Sequence, residues 1–81
     1  MYYSVTKVLP LENFLLEITF MNGEVRIFDM NPCLNIGGYR VLSDLEQFKR
    51  VHVSFDAIEW DSGIDIDPEY LYHNSDPIPI F

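Results

Sequence analysis

Basic residues are missing from the last third of this chain: between positions 56 and 81 there is neither lysine nor arginine. The same stretch holds seven of the 13 acids, Asp56, Glu59, Asp61, Asp65, Asp67, Glu69 and Asp76, and so carries almost all of the formal net charge of −8. A surface of that sign repels nucleic-acid phosphates and anionic lipid headgroups. The sequence therefore predicts no direct nucleic-acid contact and no membrane association. It suits a basic partner, although solubility alone also accounts for an excess of acids.

Cysteine is nearly absent as well. Cys33 stands alone, so no internal disulfide can form, which fits a reducing compartment. Long apolar runs are missing too. Glu12 and Glu17 interrupt the one apolar stretch near the start, and no basic segment precedes it. Neither a targeting segment nor a membrane span is expected, and the predicted location is the cytoplasm.

Ligand spacing is also lacking. His52, His73 and Cys33 are the only nitrogen and sulfur donors and have no zinc-type pattern. The carboxylates of "WDSGIDIDPEYLY" fit no EF-hand frame. A loop begun at Asp61 puts Gly63 where an acid is required, and one begun at Asp65 puts Tyr70 where glycine is required. Gly37-Gly38 opens no helix and has no Lys-Ser/Thr pair after it, so it is not a phosphate loop. Neither histidine has a sequence-level nucleophile or carboxylate partner of the kind a triad requires, and Cys33 beside Pro32 reads as a small packed residue.

What is present is a folding pattern. At 81 residues, 48% of them hydrophobic and 15% aromatic, the chain can bury one modest core without staples. Residues 2–9 read as a strand. "FLLEITFMNGEVRIFDM" reads as a hairpin with a two-residue type I′ turn at Asn22-Gly23. That turn would pair Ile18 with Ile27 and Phe20 with Val25. It would bury Leu16, Ile18, Phe20, Val25 and Ile27 and leave Glu17, Thr19, Glu24 and Arg26 outside. Residues 31–40 form a turn-rich connection. Ser43 and Glu46 make a capping box for a helix over about 44–50, with Leu45 and Phe48 on one face.

Beyond that helix, Val51, Val53 and Phe55 alternate with His52 and Ser54, and Ile58 and Trp60 flank Glu59, so both segments read as half-buried strands. Asp61-Ser62-Gly63 is turn chemistry. Asp67 then reads as a helix cap, Pro68 as the first helical residue and Glu69 as a first-turn acid. The expected fold is α+β: a small antiparallel β-meander with one main helix and a short C-terminal helical turn. Residues 1–72 would form the domain and 73–81 a C-terminal tail.

Phe20-x-Asn22-Gly23, Phe28-Asp29, Leu42, Phe48 and above all Trp60-x-x-Gly63-x-Asp65-x-Asp67-Pro68-Glu69-x-Leu71-Tyr72 resemble the bacterial family called domain of unknown function 2442. The chain has Asp61 where the family commonly has proline after the tryptophan. The resemblance implies a small α+β fold with no assigned activity, in some relatives encoded beside another short protein in toxin–antitoxin-like arrangements. It supplies no catalytic, cofactor-binding or metal-binding residue.

The functional expectation is a non-enzymatic protein–protein interaction module with no cofactor. Its expected partner is a small basic protein or a second copy of itself. Trp60, Gly63, Asp65, Asp67, Glu69 and Tyr72 form the structural motif or interaction surface. The rival expectation is a small enzyme or a ligand- or metal-binding domain built on Asp65, Asp67 and Glu69.

Overall fold

The computed structural model describes residues 3–78. Asn22 and Gly23 do turn the chain, but not as a type I′ pair. Gly23 takes the left-handed conformation at φ +91°, whereas Asn22 does not. The Asn22 Oδ1 instead accepts a hydrogen bond from the Glu24 backbone N–H (2.9 Å), and Phe20 N–H bonds to Glu24 O (2.9 Å). This is a three-residue loop ending in a glycine bulge. The extra residue slides β3 (Val25–Asp29) by one position along β2 (Leu15–Phe20).

The slip changes which side chains face the core. Ile18 lies opposite Arg26 and Leu16 opposite Phe28. Leu16, Ile18, Phe20 and Phe28 are buried, while Val25 and Ile27 remain only half-buried. The core face of β3 thus presents Arg26 beside Phe28 and opposite Ile18, contrary to the expected pairing of Ile18 with Ile27. Two-residue periodicity requires this outcome once the loop has three residues.

A two-residue turn with both central residues left-handed occurs elsewhere, at Phe55 (φ 48°) and Asp56 (φ 68°). It joins β4 (Val51–Ser54) to β5 (Ala57–Trp60), with Ser54 opposite Ala57. Asp56 is anchored: its Oδ1 accepts from Ser4 Oγ (2.8 Å) and its carbonyl from Val5 N–H (2.9 Å). Phe55, expected to alternate inward with Val51 and Val53, stands at the tip and is 99% exposed.

Two antiparallel sheets result. β1 (Val5–Pro10), β2, β3 and β7 (Asp76–Pro77) form one in that order, and β4, β5 and β6 (Asp65–Ile66) form the other. The hydrogen bond from Val5 to Asp56 ties the edge of the first sheet to the β4–β5 turn. Phe48, Leu42, Ile58, Trp60 and Leu71 fill the space shared by the sheets and the helices. No helix among the described residues is long and apolar enough to cross a membrane.

The expected main helix is a single turn, α1 (Leu45–Phe48). Its cap is Asp44, whose Oδ1 accepts from Glu46 N–H (3.1 Å). Ser43 instead ends a 3₁₀ segment, Gly37–Ser43, and its Oγ donates to Arg40 O (2.7 Å). With one turn only, Phe48 is buried while Leu45 remains 46% exposed. The architecture is therefore α+β with short helices around antiparallel sheets, and no helix dominates it. Of the segment 73–81 expected as a tail, Asp76–Pro77 pairs with Arg26 and Ile27 of β3, and residues 79–81 lie outside the described part.

Candidate functional site: the groove beside Asp65 and Asp67

Trp60 closes β5 with its ring fully buried, and its Nε1 donates to the Phe48 carbonyl (2.9 Å). The chain then reverses through Asp61-Ser62-Gly63. Gly63 sits at φ +92° and donates to Trp60 O (2.8 Å). A left-handed conformation there favours glycine because it has no Cβ to clash. β6 follows with Ile66 buried and Asp65 exposed, as alternation demands. Asp67 caps α2 (Pro68–His73): its Oδ1 accepts from Glu69 N–H (3.2 Å) and Pro68 opens the helix. The sequence motif is thus a strand, a turn, a two-residue strand and a capped helix.

These residues do not converge on one point. Residues 70 and 72 are two positions apart on a helix and face nearly opposite ways. Tyr70 borders a groove. Tyr72 packs on the other side against Tyr3 (ring centroids 4.4 Å apart) and Phe20 (5.2 Å), under the Arg26 guanidinium (4.4 Å). The Tyr72 hydroxyl, with help from Asn22 and Arg26, holds the Glu24 carboxyl below its ordinary range. Bonding to Glu24 in turn raises the Tyr72 phenol. Trp60, Gly63 and Tyr72 are accounted for by the fold. Glu69 is exposed in the first turn of α2.

Asp65 and Asp67 border a groove of about 470 Å³, together with Cys33, Ile36, Tyr39, Ile66 and Tyr70. The Tyr39 hydroxyl reaches the Asp65 carbonyl at 3.5 Å. Burial raises the Tyr39 phenol, and burial aided by the Asp29 charge raises the Cys33 thiol. A thiol held protonated is a poor nucleophile. Among the described residues, no three His, Cys, Asp or Glu side chains are arranged to hold a metal ion. Ile36, Tyr39 and Tyr70 had no distinguishing sequence signal; only the path of residues 33–39 beside β6 and the start of α2 brings them together.

A larger hollow of about 670 Å³ runs along Pro10–Phe14, Asn31, Leu45 and Lys49. It contains none of the clustered acids, and its Glu12 and Lys49 carry opposite charges. The groove beside Asp65 is smaller but, among the described residues, has acids and no base in its lining, so it is the better candidate.

The remaining acids differ in their surroundings. Asp61 faces Arg50 (3.8 Å) and His52 (3.5 Å), and Glu59 also faces His52 (3.5 Å). Among the described residues, Asp65, Asp67, Glu69 and Asp76 have no basic side chain within ion-pair distance, and all four are exposed.

Short helices around two antiparallel sheets, with the capped α2 bordering an acidic groove, define a small α+β domain. Residues 5–77 match the family described as "Protein of unknown function (DUF2442)", and the chain belongs to that family. No curated protein and no solved structure matches the chain significantly.

Proposed function

We propose that this chain is a non-enzymatic interaction module that receives a basic protein, as the acidic half of a two-protein pair of the toxin–antitoxin kind. The observation that carries this reading is the set of exposed carboxylates at Asp65, Asp67, Glu69 and Asp76, with no cation within ion-pair distance among the described residues. Uncompensated charge of one sign speeds encounter with the opposite sign and rejects partners of the same sign. Apart from Asp67, which caps α2, these carboxylates make no ion pair among the described residues that the fold could use. A partner is the natural place for their charge to act. The test is affinity capture on the tagged chain from an extract of its native host, with each retained protein identified and repurified. The reading expects a small basic protein that is retained at low salt, released by added salt and able to re-form a stoichiometric complex when purified. Retention of acidic proteins alone, or of nothing, contradicts it.

A further inference from the structure

We infer that the groove between residues 33–39 and the start of α2 seats an amphipathic basic segment of a protein partner, with an apolar side chain inside and lysine or arginine over Asp65 and Asp67. The inference rests on the interaction-module reading and adds the surface and the chemistry of the segment that fits it. Three observations carry it.

The first is shape and lining. The groove is about 470 Å³, within the usual range of ligand pockets, and Ile36, Tyr39, Ile66 and Tyr70 give it apolar walls. The second is exposure. Ile36 is 59% and Tyr70 49% exposed, so large apolar surface lies at the mouth where a partner can cover it. Buried aromatic and aliphatic anchors contribute most of the energy in protein interfaces.

The third is charge. Among the described residues, Asp65 and Asp67 are the only charged side chains lining the groove. The neighbouring cation is Arg40, next to Tyr39 in sequence, and its Nε donates to Asn35 O (3.3 Å). An apolar floor with a carboxylate rim complements a segment that alternates apolar and cationic faces, as in helix-in-groove recognition. A second copy of this chain fits poorly, because both molecules would carry the same excess of −8.

The experiment is an amide chemical-shift titration of the folded chain. The probe is a synthetic helical peptide of leucine and lysine, with leucines at helical spacing. The control peptide has glutamate in place of lysine. The basic peptide should shift Ile36, Tyr39, Asp65, Ile66 and Tyr70, and the acidic peptide should shift none of them. Ile36→Glu, at an exposed position, should weaken binding at least tenfold, while Met21→Glu, exposed elsewhere, should leave it unchanged. Shifts scattered over Glu12, Asp61 and Asp76, equal binding of both peptides, or line broadening without peptide would each overturn the assignment. The first means diffuse charge attraction, the second apolar binding indifferent to charge, and the third self-association. If the host partner still binds the Ile36→Glu chain as tightly as before, the groove assignment fails and the interaction reading stands. If no basic protein binds either form, both fail.

Discussion

The guanidinium carbon of Arg26 lies 4.4 Å from the centroid of the Tyr72 ring. Its Nε donates to Ser75 Oγ (2.9 Å), Nη2 to the Ser75 carbonyl, and Nη1 approaches Glu24 at 3.5 Å. One side chain therefore fastens the end of α2 and the approach to β7 onto β3. The planar fork makes these bonds together and stacks on the ring, which a lysine cannot do. Arg26→Lys should destabilise the chain by about 1–2 kcal/mol and Arg26→Ala by about 2–3 kcal/mol. Denaturant unfolding of both variants checks this. Equal stability of wild type and Arg26→Ala would mean that the C-terminal segment is not held this way.

Glu24 gives the same corner a pH dependence. Its folded carboxyl is held below the ordinary value of 4.5, first by the Tyr72 hydroxyl and then by Asn22. A depressed folded pKa contributes stability that is present above the unfolded pKa and lost as pH falls through the folded one. Wild type should therefore lose part of its stability below about pH 4.5, and Glu24→Gln should lose less over that window. The Tyr72 phenol is raised above 10, so Tyr72→Phe should remove a tyrosine that ionises late in a phenolate absorbance titration.

Phe55 is held left-handed at φ 48° and is 99% exposed. Its ring is not buried, and the conformation costs an L-residue about 1–2 kcal/mol. Asparagine tolerates this region better. Phe55→Asn should raise stability by about 0.5–1 kcal/mol, measured as a higher melting temperature. A loss of stability would show that the aromatic ring supports the turn.

Asp67 acts as a helix cap, and Asp65, Asp67 and Glu69 do not gather around a point. Asp67→Ala should cost about 1 kcal/mol. Millimolar calcium, magnesium or manganese should leave the melting temperature unchanged, since an ion at a thousand times its dissociation constant would add about 4 kcal/mol. A large rise that Asp65→Asn abolishes would make the cluster a metal site.

Local chemistry made much of this fold legible. Trp60, Ile58 and Ile66 turn inward as alternation predicts, and Asp67-Pro68-Glu69 starts a helix where a cap, a proline and a first-turn acid require one. The errors came where one residue type permits two geometries. Asn-Gly serves a two-residue turn and also a bulged loop, and the choice moved Arg26 from solvent to the core face. Ser43 and Asp44 are both good caps, and the cap fell on Asp44 because Ser43 bonds back to Arg40. Phe55-Asp56 has no turn signature; the bonds from Ser4 and Val5 fix that turn from a distance of some fifty residues. The groove was legible only in its acids. Half of its apolar wall, Ile36 and Tyr39, comes from a segment whose sequence says no more than "turn".

The reading of the chain as the acidic half of a complex is tested most directly by calorimetric titration of the basic protein captured from the host. Wild type is compared with the Asp65→Asn, Glu69→Gln, Asp76→Asn variant, at low and at raised salt. These three acids have no cation within ion-pair distance among the described residues, so their neutralisation should leave the fold intact. The expected result is binding about tenfold weaker in the variant, a loss of about 1.4 kcal/mol, with the gap narrowing as salt rises. Identical dissociation constants for both proteins at both salt concentrations would contradict it.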